Sequence, residues 1–130
     1  MVGTNDLRRA EAFYDPIMIR LGLERCYCDE VMLSWGSKAD DTLPRFMVGL
    51  PFDGKAASVG NGNMTAFRGE KPSLIDKLYA LAMQNGGRSE GEPGLRPQYG
   101  PGFYAAYIRD PDGNKLAFVC YDAKIDDQEK

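Results

Sequence analysis

Residues 91–120 read GEPGLRPQYGPGFYAAYIRDPDGNKLAFVC. Two largely apolar runs, Gly102–Arg109 and Lys115–Tyr121, flank the turn sequence DPDG at residues 110–113. In such a turn proline presets φ, aspartate accepts hydrogen bonds from the turn amides, and glycine adopts the positive φ. The stretch therefore predicts an antiparallel pair of strands near the end of the chain.

The first of these two strands alternates along its length, so its side chains divide between two faces of a sheet. One face takes Phe103, Ala105 and Tyr107, and the other takes Tyr104, Ala106 and Ile108. The preceding segment, Asn85–Gly102, is rich in glycine and proline and is predicted to be a long irregular loop that carries Arg96, Gln98 and Tyr99. Long ordered loops often border a binding site.

Apolar residues at three- and four-residue steps predict a first helix over Asp6–Leu21. Asn5 is expected to cap its amides, Pro16 to kink it and Gly22 to end it. The buried stripe is formed by Leu7, Ala10, Tyr14, Ile17 and Leu21.

A second helix is predicted to open at Pro72 and to stop at Gly86–Gly87. Its stripe is formed by Leu74, Ile75, Leu78, Leu81 and Ala82. Further strands are predicted at Glu24–Cys28, Val31–Trp35, Phe46–Leu50 and Met64–Phe67.

The two halves repeat one another, since Phe13-Tyr14 matches Leu78-Tyr79 and Gly22 matches Gly87 at a constant offset. Each half is interpreted as a strand, a helix and three strands. The sequence therefore predicts a single α+β domain of two βαβββ modules that form a curved, partly open mixed sheet around a cavity. The modules are placed at about residues 1–54 and 63–121, with a connector at about 55–62 and a polar tail at 122–130.

Composition excludes several classes of function. The 130 residues carry a net charge of −3, which does not favour nucleic acid as a partner, and no apolar run is long enough to cross a membrane. Three cysteines favour a reducing cytoplasm over a disulfide framework. There is no histidine, so imidazole catalysis and histidine-rich metal sites are excluded.

The paired modules, the segment GTNDLRRAEAFYD at Gly3–Asp15 and the motif DPDGN at Asp110–Asn114 resemble the vicinal oxygen chelate superfamily. That superfamily includes glyoxalase I, bleomycin-resistance proteins and extradiol dioxygenases. Members commonly pair their modules across a dimer, so the resemblance implies a homodimer with cavities near the interface.

In metal-using members of this superfamily the ligands come from the first and last strands of each module. The matching positions here hold Met64, Ala117 and, in the last strand of the first half, about Met47. The fourth would precede Met1, so the first strand is interpreted as clipped. Thioether is a weak ligand and alanine is none, and we therefore expect neither a metal nor another cofactor.

Candidate ligand-binding residues follow from the expected cavity. Arg96, Tyr99, Tyr104 and Tyr107 would hold an anionic or aromatic molecule. Trp35, Phe46 and Met47 would form the opposite wall, and Met64 with Ala117 an apolar floor. Core packing explains these aromatic and methionine residues equally well, and Cys26 and Cys28 are interpreted as packing thiols.

Three functions remain open at this point. The leading hypothesis is a cytoplasmic glyoxalase/bleomycin-resistance-like protein that binds a small organic molecule without metal, in a cavity between the modules closed by the segment 85–102. The second is a lyase, isomerase or dioxygenase whose metal-binding first strand is missing from this chain or whose mechanism is metal-free. The third is a structural or regulatory module with a filled cavity.

Overall fold

The structure is a computed structural model that describes residues 1–124. Each half of the chain contributes four strands and one helix. The first half comprises β1 (Val2–Gly3), α1 (Leu7–Arg20), β2 (Glu24–Cys28), β3 (Met32–Gly36) and β4 (Phe46–Gly49). The second half comprises β5 (Thr65–Arg68), α2 (Pro72–Gln84), β6 (Arg88–Leu95), a 3-10 turn (Pro97–Tyr99), β7 (Tyr104–Arg109) and β8 (Lys115–Cys120). Most of the predicted polar tail, residues 125–130, lies outside the described residues.

The two halves have the same topology. Each forms a four-stranded mixed sheet, in the order β1-β4-β3-β2 in the first half and β5-β8-β7-β6 in the second. Strand β1 pairs with β4, and β5 with β8, in parallel orientation. The other neighbouring strands of each sheet are antiparallel. The predicted α+β fold of two βαβββ modules is therefore confirmed, and neither sheet closes into a barrel.

The prediction of an irregular loop over residues 85–102 was wrong for residues 88–95. Arg88–Leu95 forms the strand β6, which pairs antiparallel with β7. Its register shifts between Ser89 and Gly91 and again between Gly91 and Gly94. Two irregularities and several glycines break the alternation by which a strand is recognised in sequence.

The helix ends also differ from the prediction in detail. Asp6, rather than Asn5, caps α1, because its side-chain oxygen accepts a hydrogen bond from the Arg9 amide at 3.0 Å. The Asn5 side chain instead exchanges hydrogen bonds with the backbone of Ala57 in the connector. The left-handed residues that follow the helices are Gly22 (φ 83°) and Gly86 (φ 99°), so the repeat aligns Gly22 with Gly86 rather than Gly87.

One hydrophobic core serves both modules. The faces of the two sheets that carry the helices contribute side chains to the same cluster, in which Tyr14, Trp35 and Phe118 are fully buried. The rings of Phe46 on β4 and Phe67 on β5 meet edge to face, with their centroids 4.9 Å apart. Because the helix-bearing faces share this core, the opposite face of each sheet is left toward the exterior.

The predicted turn at residues 110–113 joins the two modules. One Asp112 carboxylate oxygen accepts from the Thr4 hydroxyl at 2.5 Å, and the other accepts from the Asn5 amide at 2.9 Å and from the Arg9 guanidinium at 2.8 Å. The Asn114 side chain donates to the Gly3 carbonyl at 2.8 Å. The turn that decides the local fold of the second module therefore also fixes the start of α1.

Within residues 1–124, no helix has the length and apolar character that a membrane span requires.

Candidate functional site

The exterior face of the second sheet carries an open groove with a cavity volume of about 610 Å³. Strands β6, β7 and β8 and the 3-10 turn provide its walls. The groove is lined by Met64, Glu90, Gly91, Arg96, Gln98, Tyr99, Phe103, Tyr107 and Lys115. Its size is within the range of sites that bind small organic molecules.

Small side chains on the strands give the groove its floor. Ala105 and Ala117 are fully buried on this face, and Phe103 and Tyr107 pack against them. Tyr107 lies directly opposite Ala117 in the β7–β8 register. Because the floor is built from alanines, the larger aromatic side chains stand above it as walls.

Arg96 is held over the ring of Tyr107. Its guanidinium carbon lies 5.6 Å from the ring centroid, and its Nη2 donates to the Glu92 carbonyl at 2.7 Å. A Cβ at Gly91 would approach Arg96 Nη2 to 3.3 Å, and one at Gly94 would approach Nη1 to 3.1 Å. These two glycines therefore make the space in which the guanidinium lies.

Lys115 provides a second positive charge beside the same ring, with its Nζ 5.9 Å from the Tyr107 centroid. Among the described residues, no carboxylate forms an ion pair with Lys115. Glu90 in the groove is engaged elsewhere, since the Arg109 guanidinium donates to it at 2.8 Å. That hydrogen bond holds the pKa of Glu90 below its usual range, and Lys115 and Arg88 act in the same direction.

The aromatic wall continues outward from Tyr107. Tyr99 and Phe103 meet edge to face with centroids 5.3 Å apart, and Phe103 meets Tyr121 at 5.5 Å. Burial raises the pKa of the Tyr107 hydroxyl further above neutrality, and the group remains a neutral hydrogen-bond donor. The groove thus offers aromatic faces, a phenol and two cations.

A second hollow of about 360 Å³ adjoins the groove at the boundary between the modules. Met64 and Lys115 line both spaces. The second is also lined by both residues of β1 and by residues 58–60 of the connector. The two hollows together extend from the second sheet to the start of the first module.

The structure places four of the nine sequence-predicted ligand-binding residues in the groove: Arg96, Tyr99, Tyr107 and Met64. Ala117 lies beneath it, in contact with the aromatic wall. Met47 belongs to the exterior face of the first sheet and does not line the groove.

Trp35, Phe46 and Tyr104 lie on the core side of the sheets, away from the groove. Trp35 is fully buried and its indole donates to Asp15 at 2.9 Å. Phe46 stacks on Trp35 with centroids 6.3 Å apart. The Tyr104 hydroxyl donates to Asp76 on α2 at 2.6 Å; burial, followed by this hydrogen bond, raises its pKa to about 12.

Sequence reasoning missed five groove residues: Glu90, Gly91, Gln98, Phe103 and Lys115. Lys115 had a signal, because it is two residues from Ala117 on the same strand and so shares its face. Glu90 had none, because the register shifts of β6 remove the alternation that would identify its strand and its face.

Two βαβββ modules with this strand order define the class of vicinal oxygen chelate proteins. The chain is 34% identical to a glyoxalase/bleomycin resistance protein from Albidiferax ferrireducens, whose crystal structure aligns with a TM-score of 0.79 over 92% of this chain and 93% of that one. The chain therefore belongs to the glyoxalase/bleomycin resistance protein family.

Two further solved structures share the fold at lower identity. A glyoxalase-related enzyme from Fulvimarina pelagi aligns at 17% identity and a TM-score of 0.69, covering 92% of this chain and 83% of that one. Lactoylglutathione lyase from Agrobacterium tumefaciens aligns at 20% identity and a TM-score of 0.63, covering 92% and 88%. No family model and no curated protein matches the sequence.

The metal that this superfamily implies does not fit the residues present. The positions carried over from metal-using members hold Met64, Ala117 and Met47, which offer two thioethers and a methyl group. Lys115 lines the groove together with Met64, and its ammonium repels a divalent cation. Across residues 1–124, no group of three or more His, Cys, Asp or Glu side chains comes together as a metal site.

Proposed function

We propose that this chain binds a small organic molecule in the groove of the second module without the help of a metal ion. The observation that carries the proposal is the groove itself, about 610 Å³ in volume, with Tyr99, Phe103 and Tyr107 as apolar walls and Arg96 and Lys115 as polar contacts. Apolar walls with a few convergent polar groups are typical of ligand sites.

An open cavity of this size favours ligand binding over the hypothesis of a structural module with a filled cavity. The enzyme hypothesis has less support, since the donor set described above offers no site for the Lewis acid that such reactions use. Sequestration of the molecule, as in a resistance protein, is the activity we propose. Cys26 and Cys28 are free thiols in the structure, which supports action in a reducing cytoplasm.

A thermal-shift screen of aromatic and anionic metabolites and aromatic antibiotics tests the proposal. At least one class of compound is expected to raise the melting temperature of the purified chain, because a ligand that binds only the folded state stabilises it. Tyr107→Ala should abolish the shift. Tyr27→Ala is the matched control, because Tyr27 is exposed on the first sheet and lies outside the groove.

Three results would each overturn this function. The first is a screen in which no compound raises the melting temperature, and the second is a Tyr107→Ala variant that responds like the wild type. The third is elemental analysis of protein taken directly from cells that finds a divalent metal at one equivalent per chain.

We also propose that the chain acts as a homodimer. Phe52 is fully exposed beside the exposed Leu50 and Val31, and all three line a hollow of about 450 Å³. An aromatic side chain in such a position is typical of a protein–protein contact. Light scattering after gel filtration should find a dimer, and Phe52→Ser should shift it toward monomer, whereas the exposed Leu43→Ser should not. A wild-type monomer at high concentration would refute this proposal.

A further inference from the structure

The charges of the groove do not balance. Arg96 and Lys115 both line it, and Glu90 is its only carboxylate among the described lining residues. Glu90 is already paired with Arg109, which does not line the groove. The surplus is therefore positive, although the chain as a whole carries a net charge of −3.

Arg96 retains unused hydrogen-bond donors. A guanidinium presents several N–H donors in a planar fork that matches a carboxylate or phosphate. Within residues 1–124, Arg96 uses two of its nitrogens, and both donate to backbone carbonyls, at 2.7 Å to Glu92 and at 3.4 Å to Leu95. Neither contact neutralises its charge. The two hydrogen bonds hold the guanidinium at the wall of the groove, and among the described residues its other N–H donors have no acceptor.

The orientation of this guanidinium is built into the strand. Gly91 and Gly94 leave room beside its two terminal nitrogens, and the ring of Tyr107 lies beneath it. A fixed cation loses little conformational entropy when it binds an anion, and this favours affinity and selectivity.

Lys115 lies near the same ring, with its Nζ 5.9 Å from the centroid, and lines both the groove and the hollow between the modules. Its ammonium has no carboxylate partner in the described part of the chain, as noted above. The aromatic residues Tyr99 and Phe103, which meet edge to face, supply apolar ring surface beside the two cations.

We propose that the groove selects organic oxyanions that carry a planar apolar portion, and that Arg96 and Lys115 determine this selectivity. The inference rests on the proposed function, since it names the chemical class of ligand for the same groove. The carboxylate or phosphate of the ligand contacts the cations, while its planar portion packs on the aromatic wall. A neutral molecule of the same shape gains only the packing.

Isothermal titration calorimetry with three probes of matched shape tests the inference: naphthoate, naphthamide and naphthylmethylammonium. Naphthoate should bind about tenfold more tightly than the neutral amide, and the cation should bind more weakly than both. The affinity for naphthoate should fall as salt is added, while that for the amide should not, because salt screens charges and not apolar contacts.

Substitutions locate the selectivity. Lys115→Met and Arg96→Gln should each reduce naphthoate binding toward that of the amide, so that the ratio of the two affinities falls. Lys38→Met, in an exposed loop of the first module, removes the same charge as Lys115→Met and should leave the preference intact. Circular dichroism and the melting temperature verify that each variant is folded.

The outcomes separate the two proposals. If naphthamide binds as tightly as naphthoate, or if both groove variants keep the preference for naphthoate, the selectivity inference is wrong and the binding function stands. If no probe binds and no compound of the thermal-shift screen does, both proposals fail together.

Discussion

The Tyr14 hydroxyl donates to the Asp110 carboxylate at 2.5 Å, although the two residues are 96 positions apart in the chain. Both side chains are buried, and Asp110 also accepts from the amides of Asp112 and Asn114 and from the Asn114 side chain. The contact ties α1 of the first module to the turn between β7 and β8 of the second.

Removal of either partner should lower the free energy of unfolding. Tyr14→Phe should cost about 1–2 kcal/mol, because it removes one hydrogen bond to a charged acceptor. Asp110→Ala should cost about 3 kcal/mol or more, since several buried donors lose their acceptor together. Urea denaturation measures both.

Tyr27→Phe, which removes the exposed contact of Tyr27 with Asp29, should change stability by less than about 0.5 kcal/mol. Equal effects for Tyr14→Phe and Tyr27→Phe would contradict the role of the buried pair.

The same pair predicts a loss of stability in alkali. Burial, and then the charge of Asp110, raises the pKa of Tyr14 well above the ordinary tyrosine value of about 10. Below about pH 10, the ordinary tyrosine pKa, the hydroxyl is protonated in both the folded and the unfolded state, so its contribution to the free energy of unfolding is fully present. Above it the unfolded state releases the proton first, and the free energy of unfolding falls by at most about 1.4 kcal/mol per pH unit for this group. Urea midpoints measured on both sides of that pH should show a smaller decline in Tyr14→Phe than in the wild type.

Trp35 should prove important for stability and not for ligand binding. Trp35→Phe leaves a cavity in the shared core and removes the hydrogen bond to Asp15, which together should cost about 2–3 kcal/mol. The dissociation constant of a groove ligand should stay within error of the wild type, because Trp35 faces away from the groove. A loss of affinity without a loss of stability would place Trp35 in the site after all.

Gly91 should be needed for the position of Arg96. A Cβ at this residue would lie 3.1 Å from Cδ2 of Tyr107 and 3.3 Å from Nη2 of Arg96, so both side chains would have to give by a few tenths of an ångström. Gly91→Ala should weaken naphthoate binding about tenfold through the displaced guanidinium. Titration calorimetry measures the change, and Ser89→Ala, at an exposed position of the same strand, is the control. If Gly91→Ala binds like the wild type, the space beside the glycine does not position Arg96.

Local patterns predicted much of the fold, because helices and tight turns are determined by residues close in sequence. The stripe that contains Tyr14 and the turn DPDG at 110–113 both behave as their sequences indicate. The contacts of that turn with Thr4 and Arg9 were not predictable, since they depend on how two distant modules pack.

The groove shows the same limit. The alternation of Tyr104 and Tyr107 predicts that they occupy opposite faces, so only one of them can line a cavity on a given side. Packing decides which face of the sheet contacts the helices. Here α2 packs on the face that carries Tyr104, whose hydroxyl donates to Asp76 of that helix. The strand β6 was not predicted, because the bulges at Gly91 and Gly94 break the two-residue alternation of its side chains. The same two glycines leave the space that Arg96 occupies.

The core that joins the modules has a consequence for the connector. Phe46 and Phe67 touch across it, so neither half covers its own apolar face alone. A protease cut near Gly54 should therefore leave both fragments associated as one particle under native conditions. Separated by denaturant, each fragment would need its complement, or another copy of itself, before it could refold.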